Sequence, residues 1–250
     1  MNSETMPLGK VIALFAHPDD ESFRCGGTLA LLARRGMQVQ VIAATRGEAG
    51  SCGDPPICRP EELGAVREAE LRCACRALGI APPLVWGYAD GGLAQVDERE
   101  AVERLLSLIH DLQPRVLLTW PPHGLSGHPD HQAVSRWAAA AFRRATSEGV
   151  DTLGVLYYLA VPRSVADDLG LKQLHATPDE RIDVAVDVTP VWEQKIAAIR
   201  CHQTQQGESP ILRAPEARQR LFLGTEHFQL AMSHMSDDPL ALLGREPIRA

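Results

Sequence analysis

Ala16-His17-Pro18-Asp19-Asp20-Glu21 sets an imidazole and three carboxylates side by side, directly after the apolar run Val11-Ile12-Ala13-Leu14-Phe15. Adjacent carboxylates repel one another, and the next basic residue along the chain is Arg24. A divalent cation would remove that repulsion and make use of it. His17 and Asp20 lie three apart across a turn that Pro18 forces, so their side chains can converge while Asp19 projects differently. A second cluster, Gly127-His128-Pro129-Asp130-His131, follows another apolar run, Val116 to Trp120. Two clusters of this kind at strand ends are the raw material of one site.

His17, Asp20 and His131 make a two-histidine, one-carboxylate set. On Zn²⁺ such a set leaves an open position for water, as catalytic rather than structural zinc does. That water ionises near neutral pH and can attack a carbonyl. Asp19, beside it, could accept the proton and pass it to a leaving nitrogen, with Glu21 the next candidate. His128, as an imidazolium, could stabilise the oxyanion of a tetrahedral intermediate. Asp130 is expected to orient that imidazole and raise its pKa. His110, His175 and His234 stand alone and read as ordinary surface or core residues.

The elements that must hold these groups alternate. Lys10 to Phe15 reads as a short buried strand. Asp19 to Arg35 reads as a helix with acidic residues first and arginines last, as the helix dipole prefers, and Gly36 stops it. Gly26 and Gly27 inside it read as sites of close packing of helix on sheet. Further strands are expected over Gln38 to Thr45, Leu84 to Trp86, Val116 to Trp120, Val155 to Ala160 and Ile182 to Val188. A last strand is expected from Thr225 to Met232. Helices are expected over Glu61 to Leu78, Glu98 to Leu112, His131 to Ala145 and Val191 to His202, with a weaker one from Arg213 to Leu221. This alternation predicts an α/β fold: one Rossmann-like layered domain with a mainly parallel sheet and helices on both faces. Ligands of such sheets lie outside the carboxyl ends of the strands, where every polar cluster of this chain falls.

At 250 residues the chain is expected to be one domain, with a core over 8–232 and residues 233–250 as a tail. The net charge of −7 points to neither nucleic acid nor an acidic membrane as partner. No apolar stretch reaches the ~20 residues that span a bilayer, and the N-terminus lacks a secretory pattern, so a cytoplasmic location is expected. A homo-oligomer is compatible with the sequence. The six cysteines are not expected to form a disulfide framework. Cys25, Cys73, Cys75 and Cys201 read as small apolar fillers, and Cys52 and Cys58 as two thiols on a loop.

AHPDDE after the first strand, with GHPDH after a later one, resembles the LmbE/PIG-L family of zinc-dependent N-acetylglucosamine deacetylases, which includes the deacetylases of mycothiol and bacillithiol synthesis. Thr45-Arg46-Gly47-Glu48-Ala49-Gly50 is similar to the family's T-x-G-E-x-G loop. Arg67-Glu68-Ala69-Glu70-Leu71 is similar to its R-E-x-E-L helix, and Asp90-Gly91-Gly92 to its D-G-x turn. The resemblance covers about residues 8–142 and weakens to a helix with His202 and Gln205. It implies Zn²⁺ (Fe²⁺ with the same ligands is the variant) on His17, Asp20 and His131, and Asp19 as general base. It further implies His128 as the oxyanion-stabilising acid oriented by Asp130. Arg67 and Asp90 match positions that bind sugar hydroxyls in relatives. Glu48 is expected to brace loops, since a carboxylate beside Gly47 and Gly50 can accept backbone N–H bonds. One position departs: where mycothiol-type relatives often carry a Tyr, this chain has Ser126, with His123 slightly upstream.

The expected activity is hydrolysis of an N-acetyl group from a GlcNAc-containing small molecule, GlcNAc-malate or a related thiol precursor among them. An amidase acting on a thiol S-conjugate would use the same zinc chemistry. A non-catalytic nucleotide-binding or regulatory α/β protein is the third reading. Against it stand the absence of Gly-x-Gly-x-x-Gly after the first strand and the presence of Asp19.

Overall fold

Val11, Ile12, Ala13, Leu14 and Phe15 are all fully buried, so helices must cover both faces of the strand they form. The structure, a computed structural model, describes residues 9–208, 210–235 and 238–245. In chain order its elements are β1 (Lys10–Phe15), α1 (Asp20–Arg34), β2 (Gln38–Thr45), α2 (Leu63–Leu78), β3 (Leu84–Tyr88), α3 (Glu98–Leu112) and β4 (Val116–Thr119). A single turn α4 (Gly124–Gly127) leads into α5 (Pro129–Ser147), followed by β5 (Val155–Ala160), α6 (Arg163–Asp168), β6 (Val184–Asp187) and α7 (Trp192–Cys201). The chain closes with α8 (Pro210–Arg213), α9 (Glu216–Leu223), β7 (Thr225–Ser233) and α10 (Pro239–Arg245).

Local chemistry sets most boundaries. α3 begins where the Asp97 carboxylate accepts the Arg99 N–H at 2.9 Å, and it ends at Gln113 in a left-handed conformation just before Pro114. Its residues Ala101, Val102, Leu105, Leu106 and Ile109 repeat at helical spacing and are the ones buried. α2 stops at Gly79, whose φ of 72° a side-chain-bearing residue resists. α1, α2 and α7 pack on one another, and α3 packs on α5, giving two helical layers around the sheet.

The strand order is β3-β2-β1-β4-β5-β7-β6. β1 pairs in parallel with both β2 and β4, so the order reverses there, and that reversal opens a crevice at the carboxyl ends of β1 and β4. The first five strands in this order are parallel, whereas β7 runs antiparallel between β5 and β6. The mainly parallel sheet expected from the sequence is therefore present, with an antiparallel edge.

Three expectations need correction. Cys73 and Cys201, read as fillers, are joined in a disulfide that ties α2 to the end of α7. Cys25 and Cys75 are indeed buried free thiols. The tail is not all peripheral, because α10 packs against β6 with Leu240 fully buried and Leu243 nearly so; residues 236, 237 and 246–250 lie outside the described residues. The weak helix expected from Arg213 to Leu221 starts later, as α9 after Pro215, with the short α8 ahead of it.

Gly27 shows why glycine interrupts α1. A Cβ there would collide with the Val188 side chain, so the close partner is the segment leading into α7 rather than the sheet. The amides of Gly27 and Thr28 donate to the Glu226 carboxylate at 2.9 and 2.7 Å, and Glu226 in turn pairs with the buried Lys195 at 2.7 Å. Gly27→Ala should gain up to about 1 kcal/mol in helix propensity but lose about 1–3 kcal/mol to overpacking. Net destabilisation in a urea titration is the expected result, and a variant more stable than wild type would show that Val188 can yield.

Candidate metal centre and its surroundings

His17 follows β1, and His131 lies in the first turns of α5 beyond β4, so the crevice between those neighbouring strands brings the two clusters together. Ligand atoms of His17, Asp20 and His131 lie within 4.8 Å of one another. His131 Nε2 is 3.4 Å from Asp20 Oδ1, while its Nδ1 faces the Gly124 carbonyl at 3.1 Å. With Nδ1–H donating to that carbonyl, Nε2 keeps its lone pair toward the cluster. Trp120 stacks on the same ring, with centroids 4.3 Å apart.

Asp20 is divided in the same way. Its Oδ2 accepts the N–H groups of Ala16 and His17 at 3.2 and 3.0 Å and the Trp120 indole N–H at 3.1 Å. Oδ1 is left to face His131. Burial opposes its charge, but His131, His17 and these donors hold the carboxyl well below the usual carboxylate range. His17 turns Nδ1 toward Asp20 at 3.8 Å, and Nε2 toward Asp90 at 3.0 Å and Asp130 at 3.3 Å. Burial lowers its pKa, yet Asp130, Asp90 and Asp20 together carry it up to about 10. The set suits a divalent ion: two imidazole nitrogens and one carboxylate oxygen converge, each backed by a hydrogen bond on its far side. A cation there would displace the proton from His17, as metal binding does at histidine generally.

Asp130 departs from expectation. Its carboxylate accepts the N–H groups of Gly91 at 2.8 Å and Leu93 at 3.0 Å and contacts His17 Nε2. That carboxylate orients His17, and only the Asp130 backbone N–H reaches His128. His128 caps α5, with its Nδ1 accepting the Asp130 backbone N–H at 3.2 Å. An acceptor at Nδ1 requires the neutral ring, with the proton on Nε2. Burial, and then the neighbouring His131 and His17, push the His128 pKa down in spite of Asp130. The ring is therefore set up as a neutral N–H donor rather than an imidazolium. Its centroid lies 4.8 Å from that of His131 and 4.9 Å from that of His17.

Arg67 and Asp90, which the resemblance assigns to sugar hydroxyls, are engaged by the protein itself. Arg67 is only 4% exposed. Its guanidinium donates to the Pro18 and Gly47 carbonyls at 2.6 and 2.8 Å and contacts Asp19 Oδ2 at 3.3 Å. Gly47 must be glycine for this: its φ is +69°, and a Cβ would collide with the guanidinium. Asp90 gives one oxygen to His17 and the other to the Ala49 N–H at 3.0 Å. Glu48 accepts the Asp90 N–H at 3.0 Å, which links one loop to the other. Ser126 is exposed, and His123 turns to His175, with centroids 5.3 Å apart.

Asp19 stands beside the cluster in a left-handed conformation, φ 104°. Burial and the Asp20 charge raise its carboxyl to about 6, against the pull of Arg67 and His202. It lines a cleft of about 700 Å³ shared with Phe23, Leu171, Gln173, Gln205 and Phe222. Two buried groups lie behind it. Glu21 and His202, each 1% exposed, meet at 2.8 Å. Glu21 was visible in the motif and His202 as the weak end of the resemblance, but no sequence signal joined the two.

An open, mostly parallel α/β sheet with a His/Asp cluster at its order reversal is a Rossmann-like scaffold carrying a candidate metal centre. The chain belongs to the PIG-L family: the model described as GlcNAc-PI de-N-acetylase matches residues 12–142. It is 30% identical to a 1D-myo-inositol 2-acetamido-2-deoxy-alpha-D-glucopyranoside deacetylase of Salinispora arenicola, covering 91% of this chain and 86% of that relative. A protein of the same description from Mycolicibacterium vanbaalenii is 34% identical, covering 82% of this chain and 84% of the relative. Among solved structures, the conserved protein TT1542 of Thermus thermophilus superposes with a TM-score of 0.66 at 26% identity, covering 91% of this chain and 96% of the other. The 4-carboxy-2-hydroxymuconate hydratase of Pseudomonas putida superposes with 0.67 at 20% identity, covering 92% and 99%. The fold thus also carries a hydratase, and the reaction must be argued from the site.

Proposed function

We propose that this protein is a metal-dependent deacetylase that hydrolyses the N-acetyl group of a GlcNAc-containing small molecule. The observation that carries the reading is the convergence of His17, Asp20 and His131 next to Asp19, which itself lines a cleft. Family membership and the named activities of the relatives support the same reaction class. GlcNAc-inositol is the first substrate to test, because it is the one in the relatives' names; GlcNAc-malate is the second. A cytoplasmic setting is part of this proposal.

His17, Asp20 and His131 would hold the ion, Zn²⁺ or Fe²⁺. When bound, a divalent ion supplies Lewis acidity to a carbonyl oxygen and lowers the pKa of water. Asp19 takes the proton of the attacking water and returns it to the departing amine. Arg67 restrains one Asp19 oxygen, which leaves the other for that transfer. His128 donates its Nε2–H to the carbonyl oxygen as negative charge develops there. Asp130 and Asp90 keep His17 turned toward the ligand set.

The test is incubation with GlcNAc, GlcNAc-inositol, GlcNAc-malate and a bimane thiol S-conjugate, assaying new primary amines with and without a chelator. Chelator-sensitive amine release from an N-acetylglucosaminide is expected. Release from the S-conjugate alone would move the reading to an amidase, and no release from any of them would overturn it. Asp130→Asn should separately weaken metal binding about 10–100-fold, the usual cost of losing a partner behind a ligand histidine. Competition against a fluorescent chelator reads this, and unchanged affinity would confine Asp130 to capping the Gly91 turn.

A further inference from the structure

Asp19 holds φ 104° and ψ −28°, a left-handed backbone that a non-glycine residue keeps only when its surroundings impose it. The Asp19 N–H donates to Glu21 Oε2 at 3.0 Å, and the Asp19 carbonyl accepts the Ser22 N–H at 3.0 Å. The far oxygen of Glu21 is held in turn: Oε1 accepts from the Ser22 hydroxyl and meets His202 Nε2 at 2.8 Å. Glu21 and His202 are both buried, so each lacks water as a substitute partner.

His202 is itself fixed from both sides. The preceding residue, Cys201, is disulfide-bonded to Cys73 on α2. Two residues on, Thr204 donates both its N–H and its hydroxyl to Glu70 of the same helix, at 2.8 and 2.7 Å. Gln205 then donates to the Ser51 carbonyl at 2.8 Å, in the loop that also meets Arg67. The segment 201–205 is therefore a strap anchored on α2, from which one imidazole reaches across to the start of α1.

The geometry points to His202 as a positioning residue for Asp19, acting through Glu21. Held by His202, the Glu21 carboxylate keeps the Asp19 N–H engaged and the Asp19 backbone left-handed. The Asp19 carboxylate then stays against Arg67 at the cleft wall. This inference rests on the reading of Asp19 as the proton-transfer group. A merely structural His202 would only satisfy a buried carboxylate, and its loss would cost stability without touching turnover per folded molecule.

Two substitutions separate these roles. His202→Ala removes one of the two partners of Glu21 Oε1 and leaves only the Ser22 hydroxyl, whereas His202→Gln can return an N–H donor close to the Nε2 position. The expected result for His202→Ala is a kcat about 10–100-fold lower, the scale of a misplaced reacting group. KM and metal content should change far less than kcat, because His202 itself belongs neither to the cleft wall nor to the ligand set. His202→Gln should recover most of the kcat. Wild-type kcat in His202→Ala, a loss confined to KM, or a loss that Gln does not restore would each overturn the inference.

A crystal structure of His202→Ala gives a readout that needs no turnover. Departure of Asp19 from the left-handed region is expected, and an unchanged φ overturns the positioning role. Should the wild-type protein release no amine from any N-acetylated sugar, the deacetylase reading falls, and this structure still decides whether His202 sets the Asp19 backbone.

Discussion

His17→Ala and His131→Ala should each yield a folded chain that has lost most of its divalent metal. Either change leaves one imidazole and the Asp20 carboxylate to hold the ion. Loss of a partner behind a ligand already costs about 10–100-fold in affinity, and loss of the ligand itself should cost more. The two variants should differ in the apo state. His131 is held through the Gly124 carbonyl and a stack on Trp120, so its removal opens space at the rim of the crevice. His17 sits among Asp20, Asp90 and Asp130, and its removal leaves three carboxylates facing one another. His17→Ala should therefore be the less stable of the two at neutral pH and should regain stability as those carboxylates protonate. Metal analysis after dialysis, with thermal melts between acid and neutral pH, reads both effects. Full occupancy in both variants would sink the ligand assignment.

Asp19→Asn should keep the metal and lose activity by about 10²–10⁴-fold, the scale of a general base. The amide retains the shape and an oxygen for Arg67 but can no longer take a proton. The pH profile carries the second half of this prediction. The protein alone raises the Asp19 carboxyl to about 6, and a cation in the neighbouring cluster favours its ionised form. Because the base works ionised, kcat/KM should climb with pH through an acid limb lying below about 6 in the metal-loaded enzyme. Asp19→Asn should lack that limb. His128 brings no matching requirement for a charged ring, since its Nδ1 accepts an N–H and its neighbours depress its pKa. An Asp19→Asn enzyme with near-normal turnover would assign the proton elsewhere.

Local pattern in the amino-acid sequence determined much of the frame. β1, β2, α3 and β5 occupy Lys10–Phe15, Gln38–Thr45, Glu98–Leu112 and Val155–Ala160, the very bounds that apolar periodicity and the flanking Gly, Pro and Asp residues mark. Those signals act within a few residues, so they are legible without the fold. The placement of every polar cluster after a strand was legible for the same reason, and it put His17, Asp20 and His131 in one crevice.

Tertiary structure alone decided which partner each group takes. Residue spacing assigned Asp130 to its near neighbour His128, but the turn at Gly91 and Leu93 draws that carboxylate away to His17. Arg67 matched a sugar-binding position, but the loop at Gly47 closes over it. Cys73 meets Cys201 across 128 residues, and Glu21 meets His202 across 181. β7 enters antiparallel between β5 and β6 only because the chain returns from α9 at that edge. A side chain's intrinsic preference is set by its nearest neighbours in sequence, whereas a buried polar group must find whichever donor or acceptor the packed chain brings within about 3 Å. That choice is made in three dimensions, by how helices and loops close over the crevice.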